Sequence, residues 1–430
     1  MGGANAAWLN GAMPTRFQLV ARAGHPDFLS LPWGRPLAEW DHPAIVDIAR
    51  GVARHVVRFV DDGGQVYALK ETNQQRAEHE YAMLRALEEA ALPSVRAVGV
   101  VTDRTSDGGA PLDAVLVTEH LQYSLPYRYL FTGRGVPEAR TRLIDAMAAL
   151  LVRLHLEGFF WGDCSLSNTL FLRDAGALSA HLVDAETSEH HPRVSPGQRA
   201  HDLDIAVENV AGELYDLAAR DRLPSDADPA EISADLAAHY ETLWDEINRR
   251  EIIGPDERYR IEERMRRLND LGFDVDELEF EATDDGERLR VGVRVVEEGH
   301  HRRQLARLVG LEVKENQARA LLNDIAAYAA WIERETGETL PEAVAAYRWL
   351  TEVYEPMTAA VPDPLRSRRE PAEVFYEILD HRHALSETCG RDVGNDEALA
   401  SYLEAVLPQA AEERRVLPAE TGELPAVGRD

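Results

Sequence analysis

Two polar residues in the stretch GFFWGDCSLSNTLFL, Asp163 and Asn168, lie five positions apart between apolar segments. A carboxylate in such a loop can orient a hydroxyl group and accept its proton, and a carboxamide oxygen can bind a cation. Asp184 follows the apolar run HLV, 16 residues after Asn168, and Glu186 offers a second carboxylate. Mg²⁺ prefers such oxygen ligands. The set predicts phosphoryl transfer, with Asp163 acting on the hydroxyl and the other three residues binding the metal.

Phosphoryl transfer also needs a cation on the nucleotide phosphates, and Lys70 is the candidate. Of the 46 basic residues only Lys70 and Lys314 are lysines, so a lysine marks a position where a compact ammonium is preferred to a planar guanidinium. Lys70 ends the strand-like run VYALK, where an ammonium needs an anionic neighbour to fix it. Glu80 on the following helix is the first candidate. Glu78 lies on a different face of that helix and is the weaker alternative.

Five strand-like segments and one helix must position Lys70 and Glu80. The β-rich runs are AIVDI, HVVRFV, QVYALK, VRAVGVVTD and DAVLVTEHL, with a hairpin turn at DDGG. A helix, NQQRAEHEYAMLRALEEAAL, is predicted between the third and fourth strands. The chain then becomes helical. One long helix leads into the Asp163 loop, the hairpin TLFLRD–AHLVDAE follows, and HDLDIAVENVAGELYDLAAR is another helix.

The whole chain is predicted to be an α+β protein. The second half has helical periodicity over 230–250, 255–271, 300–335, 341–360 and 371–387, interrupted by the β-hairpin DELEFEAT–DDGE–RLRVGVRVVE. A chain of 430 residues is too long for one ordinary domain. We expect an N-terminal arm at 1–40, a sheet-rich lobe at 41–122, a helical lobe at 123–222, a mostly helical C-terminal domain at 223–408 and a disordered tail at 409–430.

These residues and their order resemble the protein-kinase-like superfamily. VYALK is similar to its strand-three lysine motif, Glu80 to its helix-C glutamate, WGDCSLSN to its catalytic loop and LVDAE to its metal-binding segment. The resemblance covers residues 44 to 218, half the chain. It implies a bilobal fold with a five-stranded N-lobe, ATP and Mg²⁺ as cofactors, and contact of Lys70 with the α- and β-phosphates.

The same resemblance assigns further positions. The segment VTEHL is similar to the hinge that binds adenine through its backbone, which implicates Glu119 and Leu121. The glycine-rich loop is reduced to ARGVARHV, in which Gly51 is the one glycine. Asp202 resembles the aspartate that opens the large C-lobe helix and braces the catalytic loop, and Asp204 is the alternative alignment.

Other features depart from the protein kinases of that superfamily. Trp-Gly precedes Asp163, where His-Arg is usual, and Ala-Glu follows Asp184, where Phe-Gly is usual. Only 17 residues separate Asp184 from Asp202, which leaves no room for a protein-substrate platform. These departures resemble the small-molecule and lipopolysaccharide-kinase-like branch and imply a sugar, lipid or glycan hydroxyl as acceptor. The whole chain resembles an actinobacterial family of unknown function, with a kinase-like N-terminal half and an uncharacterised C-terminal domain.

Composition restricts the partners and the location. A net charge of −30 repels nucleic acid and anionic headgroups, so we expect no nucleic-acid partner. No apolar run approaches the roughly 20 residues needed to cross a bilayer, and the start of the chain resembles no secretory signal. Two cysteines cannot form a disulfide framework. We expect a cytoplasmic protein that binds a nucleotide and a small-molecule or glycan substrate, with the C-terminal domain available to a protein partner.

Two other interpretations remain open. A pseudokinase would bind nucleotide, or merely have the fold, and signal through its acidic C-terminal half. The reduced glycine loop and the altered metal segment favour it, whereas the complete set of five polar positions opposes it: Lys70, Glu80, Asp163, Asn168 and Asp184. A transcription regulator would require salt-sensitive DNA binding.

Overall fold

The structure, a computed structural model, describes residues 16–46, 55–131, 139–249, 251–253, 277–282, 289–294, 300–410 and 413. The chain divides into two compact units. The sheet unit comprises Met1–Ala90, Ser94–Leu121 and Asp184–Ser188. The helical unit comprises Ala91–Pro93, Gln122–Val183 and Glu189–Asp430.

A six-stranded antiparallel sheet forms most of the sheet unit, in the order β1-β5-β6-β4-β3-β2. Its strands are β1 (Gln18–Ala21), β2 (Ile45–Val46), β3 (Val56–Asp62), β4 (Gln65–Thr72), β5 (Ala97–Thr102) and β6 (Ala114–Glu119). Five of them correspond to the predicted strands. The sixth, β1, lies in the segment that was expected to be an irregular arm, and it forms by pairing with Gly99–Thr102 of β5.

Helix α1 (Gln74–Glu89) packs on β5 and β6 and carries Glu80. It begins at Asn73, whose side chain accepts a hydrogen bond from the Arg76 N–H. Its buried residues recur at helical spacing and are Ala77, Glu80, Leu84 and Leu87. This spacing turns Glu80, an acidic residue, toward the interior.

The N-terminal segment packs on the sheet through aromatic side chains. Phe28, Trp33 and Trp40 are buried in one apolar cluster with residues of β3 to β6. The buried guanidinium of Arg104 donates to the Trp33 carbonyl at 3.2 Å and to Oε1 of Glu71 at 2.7 Å. The segment is therefore fixed to β4, the strand that carries Lys70.

The first part of the helical unit contains short strands and long helices. The strands are β7 (Leu125–Pro126), β8 (Phe159–Phe160), β9 (Thr169–Asp174), β10 (Ala177–Leu182) and β11 (Glu189–His190), paired as β10-β9-β7 and β11-β8. The helices are α2 (Tyr127–Phe131), α3 (Ala139–Leu156), α4 (Pro196–Ala218) and α5 (Pro229–Asn248). Helix α4 begins earlier than predicted because Ser195 and Gln198 form a capping box.

The C-terminal part is mostly helical. Its helices are α6 (His300–Val309), α7 (Glu315–Thr336), α8 (Glu342–Trp349), α9 (Glu355–Ala359), α10 (Pro371–Cys389) and α11 (Asn395–Ser401). The predicted helix 300–335 is divided near Gly310, which has a φ of +73°. Trp349 and Phe375 are fully buried in the apolar core of this region.

A three-stranded sheet precedes these helices, in the order β12-β14-β13, with β12 (Glu251–Ile253), β13 (Glu277–Ala282) and β14 (Leu289–Arg294). Its β13–β14 pair is the predicted hairpin, whereas the predicted helix 255–271 lies outside the described residues. Within the predicted tail, Glu413 is buried; residues 411, 412 and 414–430 also lie outside the description. The predicted α+β fold class is confirmed, and no helix in the described ranges is long and apolar enough to span a membrane.

Candidate active site

Lys70 lies at the centre of a group of acidic side chains in the sheet unit. Leu69 is fully buried in the cluster of the N-terminal segment, so the alternation along β4 turns Lys70 to the other face. The Lys70 Nζ atom lies 3.0 Å from Glu80 Oε2, 2.7 Å from Asp184 Oδ2 and 3.4 Å from Glu186 Oε2. Lys70 and Asp184 are 114 positions apart, so long-range folding brings them together.

Two further basic side chains lie beside Glu186. The Nε2 atom of His55 lies 3.1 Å from one oxygen and Nη1 of Arg76 lies 2.9 Å from the other. The Glu186 N–H donates to Asp184 Oδ1 at 2.9 Å, which fixes the two carboxylates relative to each other. Sequence reasoning missed His55 and Arg76. For Arg76 a signal existed, because it lies four residues before Glu80 and so on the same face of α1.

The protonation of this cluster follows from its burial. Removal from water raises the pKa of Glu80 to about 8, and the negative charge of Asp184 adds to the effect. Burial alone would lower the pKa of Lys70, but attraction by Glu80 and Asp184 outweighs it and raises that pKa. The ammonium therefore stays charged, while burial and the neighbouring negative charge disfavour ionisation of Glu80.

The three carboxylates fit a divalent cation. One ligand oxygen from each of Glu80, Asp184 and Glu186 lies within 4.8 Å of the others. Oxygens bound to one Mg²⁺ at about 2.1 Å lie at most about 4.2 Å apart, so the carboxylates would have to move closer together and the Lys70 ammonium, which contacts all three, would have to move away. The donors are all hard oxygens and carry excess negative charge, which suits Mg²⁺ better than a soft metal.

Asp163 lies in the helical unit and is held by two amide side chains. Asn168 Nδ2 donates to Oδ2 of Asp163 at 3.0 Å and to its carbonyl at 3.1 Å. Asn209 Nδ2 donates to Oδ1 of Asp163 at 3.1 Å and to the Cys164 carbonyl at 3.1 Å. Both partners of Asn168 are acceptors, so its amide nitrogen must face them and its oxygen is directed away. That oxygen is the atom suited to a cation.

The backbone of the Asp163 loop is braced by carboxylates of α4. Asp202, fully buried, accepts hydrogen bonds from the N–H groups of Trp161 at 2.7 Å and Gly162 at 2.8 Å. Glu213 accepts from the N–H groups of Leu166 at 2.7 Å and Ser167 at 3.0 Å. The loop thus receives backbone support on both sides of Asp163. Asp204, the alternative alignment, is exposed.

Asn209 and Glu213 were not found from the sequence. They follow Asp202 on α4 at intervals of seven and four residues, which places all three on one helical face. A polar stripe at this spacing on an otherwise apolar helix face was the available signal.

A chain of buried polar groups supports Asp202 from behind. Nε2 of His155 faces Asp202 Oδ2 at 3.0 Å, and its Nδ1 faces the Tyr240 hydroxyl at 2.7 Å. Because a carboxylate only accepts, Nε2 carries the proton. The Tyr240 oxygen accepts from Arg199 Nη1 at 3.1 Å, and the Arg199 guanidinium lies 3.9 Å from the ring centroid of Trp244. Helix α5 is thereby linked to the loop, which the sequence did not reveal.

The predicted nucleotide-binding positions of the sheet unit lie at the end of β6. Glu119 is the last residue of this strand, and its N–H donates to the Arg96 carbonyl at 2.9 Å. Leu121 follows two residues later and is half-buried. Gly51, the predicted glycine of the phosphate-binding loop, lies outside the described residues, and its role stays a prediction.

Two family models match separate parts of this chain. Residues 64–211 match the model of the lipopolysaccharide kinase (Kdo/WaaP) family, and residues 242–407 match the model of a domain of unknown function, DUF4032. The first match contains Lys70, Asp163 and Asp202. The predicted resemblance to the lipopolysaccharide-kinase-like branch, fused to an uncharacterised C-terminal domain, is confirmed.

Solved structures show distant similarity. One is titled "WaaP in complex with acyl carrier protein" and is 21% identical, with a TM-score of 0.30 over 46% of this chain and 86% of that chain. Another is an aminoglycoside-3′-phosphotransferase of type VIII, 17% identical, with a TM-score of 0.29 over 47% of this chain and 88% of that chain. No curated protein matches this chain.

Proposed function

We propose that this protein is a phosphotransferase that uses ATP and Mg²⁺ to phosphorylate a hydroxyl group of a non-protein substrate, such as a sugar, a lipid or a glycan. The observation that carries the proposal is the position of Lys70, whose ammonium lies between Glu80 and Asp184. A lysine fixed by one carboxylate and adjacent to a metal-binding carboxylate is the arrangement that nucleotide phosphates require. The lipopolysaccharide kinase match over 64–211 supports the same reaction class.

Each residue keeps the role predicted for it. Lys70 binds the α- and β-phosphates and Glu80 fixes Lys70. Mg²⁺, when bound, neutralises phosphate charge, and the oxygens proposed as its ligands belong to Asp184, Glu186 and Asn168.

Asp163 acts on the acceptor. Each of its oxygens accepts one side-chain amide hydrogen, which leaves lone pairs for the substrate hydroxyl. The hydroxyl oxygen forms a bond to the γ-phosphorus of ATP, and the bond from that phosphorus to the β,γ-bridging oxygen breaks. The hydroxyl proton passes to Asp163, and ADP leaves.

Transfer of the labelled γ-phosphate to a panel of sugars, lipids and cyclitols tests the proposal. We expect Asp163→Asn to lower kcat by about 10²- to 10⁴-fold, the usual contribution of a positioned base, and to leave ATP binding intact. Asp204→Asn is the matched control, since this aspartate is exposed on α4, and it should behave like the wild type. Turnover that survives in Asp163→Asn would show that the role assigned to this carboxylate is wrong.

One observation favours a second function, that of a nucleotide-binding pseudokinase. Lys70 and Asp184 form a direct ion pair at 2.7 Å. The ammonium proposed to bind phosphate and the carboxylate proposed to bind Mg²⁺ therefore neutralise each other's charge. A protein that never binds Mg²⁺ would be stable in this arrangement. Thermal unfolding with ATP, with and without Mg²⁺, separates the two functions. A phosphotransferase gains stability most with both ligands, whereas a pseudokinase gains none from Mg²⁺.

A further inference from the structure

The hairpin β9–β10 connects the two parts of the proposed site along the chain. Strand β9 begins directly after Asn168, and β10 ends two residues before Asp184. At the open end of the hairpin, the Val183 N–H donates to the Asn168 carbonyl at 3.0 Å. Six residue pairs join the strands, from Thr169–Leu182 to Asp174–Ala177. The turn is therefore joined to Asn168 by a paired ribbon about 20 Å long.

The turn of this hairpin has an unfavourable local conformation. Ala175 and Gly176 form its two-residue loop, with φ values of +48° and +82°. Positive φ at both positions is typical of a type I′ turn, which favours Asn-Gly or Gly-Gly. An alanine in this region costs about 1–2 kcal/mol. Contacts from outside the hairpin must offset that cost.

Helix α7 of the C-terminal region provides the first of these contacts. Asp174, only 4% exposed, accepts from the N–H of Gln317 at 2.8 Å and from the N–H of Asn316 at 3.2 Å. Asn316 Nδ2 adds a third hydrogen bond to Asp174 at 3.3 Å. These N–H groups belong to the first turn of α7, where they have no acceptor within the helix. A carboxylate of the kinase-like half thus caps a helix of the other half.

Helix α10 provides the second contact. Glu373, 3% exposed, accepts from the Ala175 N–H at 3.0 Å and from Gln317 Nε2 at 2.8 Å. Gln317 is itself fully buried. A Cβ atom at Gly176 would lie 2.9 Å from the Tyr376 hydroxyl, so α10 approaches the turn as closely as a glycine allows.

A third contact comes from the end of the described chain. Glu413, 2% exposed, lies 2.9 Å from Nε of Arg173 and 2.6 Å from Nη1 of Arg369. Arg173 precedes Asp174 on β9. The last two residues of β9 and the Ala175 N–H of the turn are therefore held by the C-terminal region.

The buried polar character of these contacts indicates a positional role. Burying carboxylates adds little stability compared with apolar packing, but fully bonded polar groups fix one geometry. We propose that the C-terminal domain is a part of the phosphotransferase itself, in which Asp174, Gln317 and Glu373 are positioning residues that hold the hairpin and, through it, Asn168 and Asp184. This inference rests on the proposed function, and it assigns a task to the region of residues 242–407.

Full-length Glu373→Met tests the inference. Methionine keeps the size of the side chain but leaves the Ala175 N–H without its acceptor and Gln317 Nε2 with only the Arg173 carbonyl, at 3.4 Å. Glu373→Gln restores an acceptor oxygen and should rescue the protein. Glu387→Met is the matched control, because Glu387 is an exposed residue of the same helix.

Two measurements are needed. Amide hydrogen exchange over residues 163–184 reports positioning without reference to catalysis, and steady-state kinetics give kcat and the Mg²⁺ concentration for half-maximal rate. In Glu373→Met we expect faster exchange at 166–170 and 174–177. We also expect kcat to fall about 10- to 100-fold, as for groups that orient metal ligands, and the Mg²⁺ requirement to rise. Simple loss of folded protein would lower kcat but leave the Mg²⁺ requirement unchanged.

The outcomes separate this inference from the proposed function. Exchange and kinetics equal to those of Glu387→Met would overturn the positioning role while the phosphotransferase stands. If the wild-type protein transfers no phosphate but Glu373→Met exchanges faster than Glu387→Met, the phosphotransferase is refuted while the positioning role stands. Should Glu373→Met fail to fold, Gln317→Met gives the same comparison; it removes the Nε2 bonds to Glu373 and to the Arg173 carbonyl and the bond that Oε1 accepts from the Lys314 N–H.

Discussion

Replacing Asp202 with asparagine tests how the Asp163 loop is supported. The Asp202 carboxylate is fully buried and accepts three hydrogen bonds: Oδ2 accepts from Trp161 N–H and His155 Nε2, and Oδ1 accepts from Gly162 N–H. Asparagine has one acceptor oxygen. In its better orientation the oxygen replaces Oδ2, and the amide nitrogen then faces the Gly162 N–H, donor against donor.

The magnitude follows from these three bonds. The half-buried Gly162 N–H loses its acceptor, which costs about 1–3 kcal/mol. The other two bonds change from charged to neutral, at about 1 kcal/mol each. We therefore expect Asp202→Asn to lower the free energy of unfolding of the helical unit by about 3–5 kcal/mol.

Guanidinium denaturation followed by tryptophan fluorescence provides the assay. Asp204→Asn is the control, since it makes the same chemical change at an exposed position two residues away. A difference below about 1 kcal/mol between the two variants would refute the reasoning, because surface substitutions typically change stability by less than that.

Three other substitutions have defined outcomes. Gly158→Ala should destabilise the protein by at least about 2 kcal/mol, because Gly158 has a φ of +85° and a Cβ would lie 2.1 Å from the His191 carbonyl oxygen. Gly212→Ala, at an open position within α4, should instead stabilise the protein by about 0.5–1 kcal/mol. Thermal unfolding of the two variants measures both changes. Burial lowers the pKa of His120 from 6.5 to about 4. Folding with a neutral His120 therefore adds stability above pH 6.5, and this stability is lost as the pH falls from 6.5 toward 4, by up to about 1.4 kcal/mol per pH unit. In His120→Gln that part of the acid dependence of unfolding should disappear; an unchanged pH profile would contradict it.

Local patterns in the sequence predicted the elements that carry the candidate site. Lys70 on a strand and Glu80 on the next helix follow from a period-two run and a period-3.6 run that are adjacent in the chain. The hairpin β9–β10 follows from the β-rich runs TLFLRD and AHLVDAE, although β10 begins earlier than predicted, at Ala177, and ends at Leu182, before Asp184. The sequence did not predict β1, because QLVA is short and forms a strand only through its pairing with β5.

Residues that act through distant partners were the ones missed. His155 reaches Tyr240 across 85 positions, and Asp174 reaches Gln317 across 143. No periodic pattern connects such pairs, and each member taken alone is an ordinary polar residue of a helix or turn. Glu413 was assigned to a disordered tail on composition, but its pairing with Arg173 and Arg369 buries it. Burial of charge depends on the partner, which composition cannot supply.

The most direct test of the central claim is the binding of ATP, with and without Mg²⁺, by isothermal titration calorimetry on Lys70→Met and Lys314→Met. These are the two lysines of the chain, so each variant removes one ammonium from the same background. We predict that wild type and Lys314→Met bind ATP in a Mg²⁺-dependent manner, and that Lys70→Met binds about 10- to 100-fold more weakly because charged hydrogen bonds to phosphate are lost. Equal affinity of Lys70→Met and Lys314→Met for ATP, or an ATP affinity that does not depend on Mg²⁺, would contradict the account.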